Sequence, residues 1–388
     1  MVDLRQHSLD VITTNQAAGG AYIACPNMPD YAYCWFRDGA FIAYAMDVAG
    51  EHESARRFYQ WGADVINRRA DVVHRAVGKA GRGAALLEND YLHTRYTLDG
   101  REGDDGAWPN FQLDGIGTWL WGMAQHKQLR NLPALPDDWT AAAQLAAAYL
   151  AALWRYPNYD LWEEFGDQIH PYTLGAIYAG LRAHAFLGES QGTGNGYNYD
   201  DVAASIRDFV LEKGTARGRF VKYLGATAVD ASLLALSVPY GLVDPHDDRM
   251  QATVEAIERD LRHHGGLRRY AGDSYYGGGE WLLLAAWLGW YYRQLGNRQR
   301  AQTLLAWVAS QSDACGNMPE QTPVHLNAPD YLQKWIEIRG PIANPLLWSH
   351  AMYLILDHAL DAPRSAAFSP LSAGRRDGAK GENGGSDV

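Results

Sequence analysis

LLLAAWLGWYY, residues 282–292, decides the fold class. Wound as a helix, it puts Leu282, Leu283, Trp287, Leu288 and Trp290 on every side of the cylinder. A helix that is apolar all round is buried on more than one face. The run is shorter than the roughly 18 residues a membrane span requires. It therefore predicts a helix packed between other helices in a layered soluble core. Other stretches share its helical spacing: 3–16, the apolar positions Phe41, Ile42, Tyr44, Ala45 and Val48, then 53–69, 110–125, 139–154, 172–187, 199–212, 228–238, 247–263, 280–295, 298–311 and 346–360. About a dozen helices separated by polar, Gly-rich or Pro-rich loops, with no sustained strand alternation, predict an all-α chain. A closed ring of inner and outer helices satisfies the burial demand and gathers loops at one end. Residues 1–362 read as one such domain, and the Gly/Ser/Ala-rich residues 363–388 as a disordered tail.

Composition excludes several classes. The net charge is −11, and no Lys/Arg stripe offers the positive footprint that nucleic acid needs. No membrane partner is expected, and a polar start, MVDLRQHSLDVITTNQ, lacks a hydrophobic signal core. Cys25, Cys34 and Cys315 form neither a disulfide framework nor a zinc pattern and read as buried thiols of a cytoplasmic protein. The 14 Trp and 23 Tyr suit a carbohydrate-handling surface, because flat rings stack on sugars, although most such rings serve cores. Composition does not indicate the oligomeric state.

YDLWEEFGDQIHP, residues 159–171, sets Asp160, Glu163 and Glu164 around Trp162. Mutual repulsion and exclusion of water by the indole would both favour a protonated carboxyl. That is the state a general acid needs near neutral pH. The plainer reading is an exposed acidic helix start. Other polar and aromatic clusters also fall in predicted loops. PDYAYCWFRD, residues 29–38, supplies Trp35 as a stacking face, Arg37 as a donor fork and Asp38 as an acceptor. GAWPNFQLDG, residues 106–115, holds Trp108 and an Asp114 that reads as structural. RRYAGDSYYGGGEW, residues 268–281, combines Arg269, Asp273, Tyr275 and Trp281 with three glycines that would let backbone approach a ligand. CGNMPEQ, residues 315–321, puts Glu320 in a loop after a helix, where a glutamate is ordinarily just solvated. His263, His264 and His325 lack metal-ligand spacing, no phosphate loop occurs, and Ser and Cys lack a nucleophile context. No metal or cofactor is expected, and paired carboxylates remain as the available chemistry.

In order, PDYAYCWFRD, NFQLDGIGTWLW, YDLWEE, RRYAGDSYYGGGEW, NMPEQ and the LLWSHA helix resemble glycoside hydrolase family 15 across residues 19–360. Each motif is weak alone, but their shared order is specific. The resemblance implies an (α/α)6 barrel, matching the dozen helices read independently. It implies Glu163 as general acid, Glu320 as general base and Tyr31 as a holder of the attacking water, supported by Tyr275. It implies that Trp35, Arg37 and Asp38 grip a terminal glucose and that Glu164 meets the leaving sugar. Trp108, Trp162, Arg269, Asp273, Tyr275 and Trp281 are implied pocket residues.

The expected activity is therefore exo-acting, inverting α-glucoside hydrolysis releasing β-glucose from isomaltose or short isomaltooligosaccharides. Inversion needs roughly 6.5–9.5 Å between the carboxyl groups to admit water. The β-sandwich and starch-binding modules of larger family members have no counterpart in the sequence, which points to small sugars. Linkage rests on the resemblance, and maltose or trehalose is the alternative substrate. A phosphorylase would not need Glu320 in its motif, and a non-catalytic sugar-binding protein would not need both carboxylates.

Overall fold

The computed structural model describes residues 2–103, 108–187 and 197–362. The expected tail from residue 363 lies outside them. Among the described residues there are thirteen α-helices: α1 (Leu4–Thr14), α2 (Phe36–Val48), α3 (His52–Asn67), α4 (Ala70–Gly81), α5 (Asp114–Leu129), α6 (Asp137–Leu153), α7 (Pro171–Phe186), α8 (Tyr199–Lys213), α9 (Asp248–Leu261), α10 (Leu282–Gln294), α11 (Arg298–Ser310), α12 (Asp330–Arg339) and α13 (Leu347–Asp361). A 3-10 helix, Ala231–Leu236, lies between α8 and α9.

Packing order defines the barrel. Helix α2 packs on α5, α5 on α7, α7 on the 3-10 helix, that helix on α10, α10 on α13, and α13 on α2. These six close an inner ring. Around it, α1 covers α13, α3 covers α2, α6 covers α5 and α7, α8 covers α7, α9 covers the 3-10 helix, and α11 covers α10 and α13. The result is an (α/α)6 barrel. Sequence explains which helix goes where. Every residue of α10 from Leu282 to Arg293 is buried, as its all-round apolarity requires. In α3 the buried residues recur as Ser54, Ala55, Phe58, Tyr59, Trp61 and Gly62, one stripe of an otherwise polar helix. Close approach of α5 and α7 depends on Gly117, where a Cβ would lie 2.4 Å from the Ala176 carbonyl oxygen.

Helix starts also differ between the rings, except that outer α3 and α6 are uncapped and the inner 3-10 helix is capped by Asp230. Outer helices α1, α8, α9 and α11 begin with Asp3, Asn198, Asp247 and Asn297, whose side chains accept from backbone N–H groups of the first turn. Inner helices α2, α5, α7, α10 and α13 begin at Trp35, Leu113, His170, Trp281 and Leu346, with no side-chain cap. Their N–H groups and dipole ends favour negative charge, and the cavity lies there.

Four local expectations are corrected. Helix α2 starts at Phe36, so Arg37 and Asp38 occupy a first helical turn and not a loop. The stretch 228–238 gives only the six-residue 3-10 helix, because Asp230 caps it through Ser232 N and pairs in a bridge with Tyr270, while Pro239 follows closely. Helices α4 and α12 were not anticipated; α4 packs on α6, and α12 has no buried residue and rests on the Tyr275–Gly277 turn. Cys25 and Cys34 are buried thiols, but Cys315 is exposed.

Candidate active site

A cavity of about 200 Å³ opens where the inner helices begin. Of the expected site residues, Tyr31, Trp35, Arg37, Asp38, Trp108, Trp162, Glu163, Glu164, Arg269, Tyr275, Trp281 and Glu320 all line it. Asp273 does not. It is fully buried and spent on Arg269, accepting from Nε at 2.7 Å and Nη2 at 2.5 Å. This bidentate pair fixes the guanidinium that faces the cavity.

The acidic stretch is a loop throughout, since α7 starts only at Pro171. Its centre is Asp160, whose Oδ1 accepts from the backbone N–H of Trp162 and Glu164, both at 2.9 Å. Backbone bonds from Glu163 N to Asp160 O and from Asp160 N to Glu164 O tighten the turn. Glu163 is held there at φ 65, a left-handed conformation that costs a non-glycine residue about 1–3 kcal/mol. Asp160 Oδ2 accepts from Lys222 Nζ at 3.0 Å, and Lys222 also donates to Asp230 at 2.7 Å. Asp230 in turn accepts from Trp162 Nε1 at 3.0 Å. All three charges are buried, so the loop rests on a compensated ionic anchor. The expected cause of proton retention is therefore revised, because Asp160 is paired with Lys222 and burial is the largest cause at Glu163. Burial pushes the Glu163 carboxyl up, opposed by Arg37 and by N–H donors including Trp35. The indoles beside it are Trp108 and Trp35, the latter donating from Nε1 to Oε1 at 2.6 Å, and not Trp162.

Glu320 enters from the opposite side of the sequence. Its backbone N–H donates to Ala343 O, and the next residue, Gln321, bridges to Trp281. The three glycines 277–279 serve this segment. A Cβ on Gly279 would sit 2.1 Å from the Thr322 carbonyl oxygen, so the close approach is to the chain carrying Glu320 and not to a ligand. Glu320 is 2% exposed, which overturns the reading of a solvated loop glutamate. Tyr31 donates to Glu320 Oε1 at 2.8 Å, and the Tyr31 and Tyr275 hydroxyls lie 2.9 Å apart. Burial pushes Glu320 up to about 8, while the Tyr31 hydroxyl and the Arg269 charge pull it down.

The remaining wall divides into floor and rim. On the floor, Arg37 Nη1 donates to Gln112 at 3.0 Å and contacts Asp114 at 3.3 Å, and its Nε lies 3.3 Å from Asp38. Asp114 is structural, as read from sequence. Burial pushes Asp38 up to about 6, against the pull of Arg37. Trp35, Trp348 and Leu346 complete this buried surface. Two of its polar atoms, Glu320 Oε2 and the Trp348 indole nitrogen, are buried without a hydrogen-bond partner in the protein, as is Trp281 Nε1. Such atoms suit a ligand rich in both donors and acceptors. At the rim, Glu164 is about one-third exposed, accepts from Tyr270 at 2.6 Å and lies 3.5 Å from Arg269.

Sequence reasoning missed Trp335 and Arg339 of α12, and it placed Trp348 in a motif without assigning it to the site. Trp348 was within reach as the second residue of an uncapped inner helix. Among the described residues no group of His, Cys, Asp and Glu is arranged to hold a metal ion. No described helix is long and apolar enough to cross a membrane.

The family model described as glycosyl hydrolases family 15 matches residues 4–320. The chain belongs to glycosyl hydrolase family 15. It is a glycoside hydrolase. An isomaltose glucohydrolase from Kribbella flavida is 42% identical over 91% of this chain and 91% of its own length. Among solved structures, a glycosidase variant in complex with glucose superimposes with a TM-score of 0.87 at 42% identity, covering 92% of this chain and 96% of that one. A bacterial glucoamylase complexed with acarbose shares the fold at TM-score 0.74 and 19% identity, over 93% of this chain and 56% of that one.

Proposed function

We propose that this family 15 hydrolase is an exo-acting, inverting α-glucosidase that releases β-glucose from isomaltose or short isomaltooligosaccharides. The observation that carries the reading is the pair of carboxyls, half-buried Glu163 and buried Glu320, brought to one cavity from loops far apart in sequence. Glu163 protonates the glycosidic oxygen, a task that its burial-raised affinity for the proton suits. Glu320, ionised, takes a proton from the water attacking the anomeric carbon on the opposite face. Burial holds Glu320 up to about 8 despite the pull of Tyr31 and Arg269, so the ionised base gains population as pH rises toward that value, and Tyr31, seated between Glu320 and Tyr275, orients the water. Asp38, Glu164 and Glu320 surround the ring with negative charge as an oxocarbenium-like state forms. Arg37 and Asp38 grip the terminal glucose over the aromatic floor of Trp35 and Trp348. Trp108, Trp162 and Trp281 enclose it, with Arg269 held toward it by Asp273.

The preference for isomaltose draws on the Kribbella flavida relative. Every described residue lining the cavity lies between Ala24 and Trp348, which supports residues 1–362 acting as one catalytic unit. Three free thiols, one of them exposed, fit a reducing cytoplasm. Glucose release from isomaltose, maltose and trehalose, assayed in parallel, tests the assignment. Isomaltose should have the highest kcat/KM. Faster release from maltose or trehalose would overturn the substrate while leaving the two-carboxylate chemistry in place.

A further inference from the structure

Helix α12 lies outside the twelve-helix count of the barrel, yet it forms part of the cavity wall. Its residues Leu332, Trp335, Ile336 and Arg339 recur at helical spacing on one face. Leu332, Trp335 and Ile336 pack against the core, while Tyr331 and Ile338 on other faces are exposed. Two members of the inward face, Trp335 and Arg339, line the cavity. Both are fixed in place. Trp335 meets Tyr275 edge-on, with ring centroids 5.0 Å apart, and lies 6.2 Å from Tyr276, whose hydroxyl donates to Gly340 O at 2.9 Å. Arg339 pairs with Asp30 and stands over the Trp108 ring at 5.0 Å. The Trp108 ring also carries Arg95 at 3.6 Å.

Burial separates this group from the floor. Trp35, Arg37, Asp38 and Trp348 are each under 9% exposed, whereas Arg339 keeps 28% of its side chain accessible, similar to Glu164 at 32%. A sugar whose terminal ring reaches the floor must carry its next ring past the half-exposed residues. We propose that Trp335 and Arg339 form a subsite for the second sugar, the leaving group of the reaction, with the ring against the indole and hydroxyls on the guanidinium. This assignment rests on the glucosidase reading above and extends it to α12. The indole offers a rigid face, and Arg339, already desolvated on one side by Trp108, offers donors in fixed directions.

The test compares isomaltose with α-glucosyl fluoride, which carries the same terminal glucose and no second ring. In Trp335→Ala and Arg339→Met the ratio of kcat/KM for isomaltose to kcat/KM for the fluoride should fall at least tenfold. Melting temperatures taken alongside verify folding, and Trp335→Phe, keeping an aromatic face, should restore much of the ratio. A ratio within threefold of the parent enzyme in both variants would overturn the subsite. A parent enzyme that hydrolyses neither compound would refute the glucosidase reading itself and with it this extension.

Discussion

Replacing Glu320 by Gln should stabilise the fold increasingly as pH rises. In the unfolded chain the carboxyl ionises near its ordinary value of 4.5, but in the folded protein burial defers ionisation to about 8. The folded-state value is raised, so the stabilisation is fully present below 4.5 and is lost as pH rises towards 8. Between pH 5 and 8 the unfolded state has released the proton and the folded state mostly has not. The loss runs at nearly 1.4 kcal/mol per pH unit, about 3–4 kcal/mol in all as an order of magnitude. For 388 residues the entropy of unfolding is roughly 0.8 kcal/mol/K, so the effect corresponds to about 4–5 °C. Glu320→Gln keeps the shape and cannot ionise. The amide has a fixed cost of its own, which cancels when the melting-temperature difference between variant and parent is followed across pH. Scanning calorimetry from pH 5 to 8 should show this difference moving by several degrees in favour of the variant. A difference that stays flat with pH would refute the claim that Glu320 is held protonated by burial.

Other outcomes follow from the same geometry. Glu163→Gln should lose at least three orders of magnitude in kcat while circular dichroism and melting stay near parental values; near-normal turnover would remove Glu163 from the acid role. Lys222→Met leaves Asp160 and Asp230 as uncompensated buried charges, so denaturant unfolding should show a loss of about 3–5 kcal/mol. An unchanged midpoint would show that the anchor beneath the Glu163 loop is dispensable. Tyr31→Phe removes the hydroxyl that pulls Glu320 down, so the acid limb of kcat/KM, where Glu320 takes up its proton, should move to higher pH. A limb that stays in place or moves to lower pH would contradict the assignment of that limb to Glu320. Truncation after residue 362 should leave kcat/KM unchanged, because the described residues that line the cavity all precede it; a large loss would show that the tail contributes to the site.

The barrel was legible because its inner helices are apolar on all sides and most outer ones, α6 excepted, on a stripe, a difference that survives in sequence as LLLAAWLGWYY against the 53–69 segment. All twelve predicted segments correspond to the twelve barrel positions, including the 3-10 helix, where Pro239 and the Asp230 cap cut the helix short. Helix α12 escaped because its apolar face, Leu332, Trp335 and Ile336, spans barely one turn of a ten-residue helix, and the exposed Tyr331 and Ile338 blur it. The site was legible as residue types but not as partners. Sequence adjacency grouped Asp160 with Glu163, whereas the fold turns Asp160 away to Lys222, 62 positions along the chain. It likewise put Asp273 in the pocket, although Arg269 four residues earlier takes both of its oxygens. Neighbours in sequence show which charges are present, and only the tertiary fold decides which of them face each other.

The most direct test of the central claim is the configuration of the glucose first released from isomaltose, followed by NMR before mutarotation. If Glu163 donates to the leaving oxygen while Glu320 activates water on the opposite face, the anomeric signal that appears first is β. Initial α-glucose would contradict that division of labour between the two carboxyls.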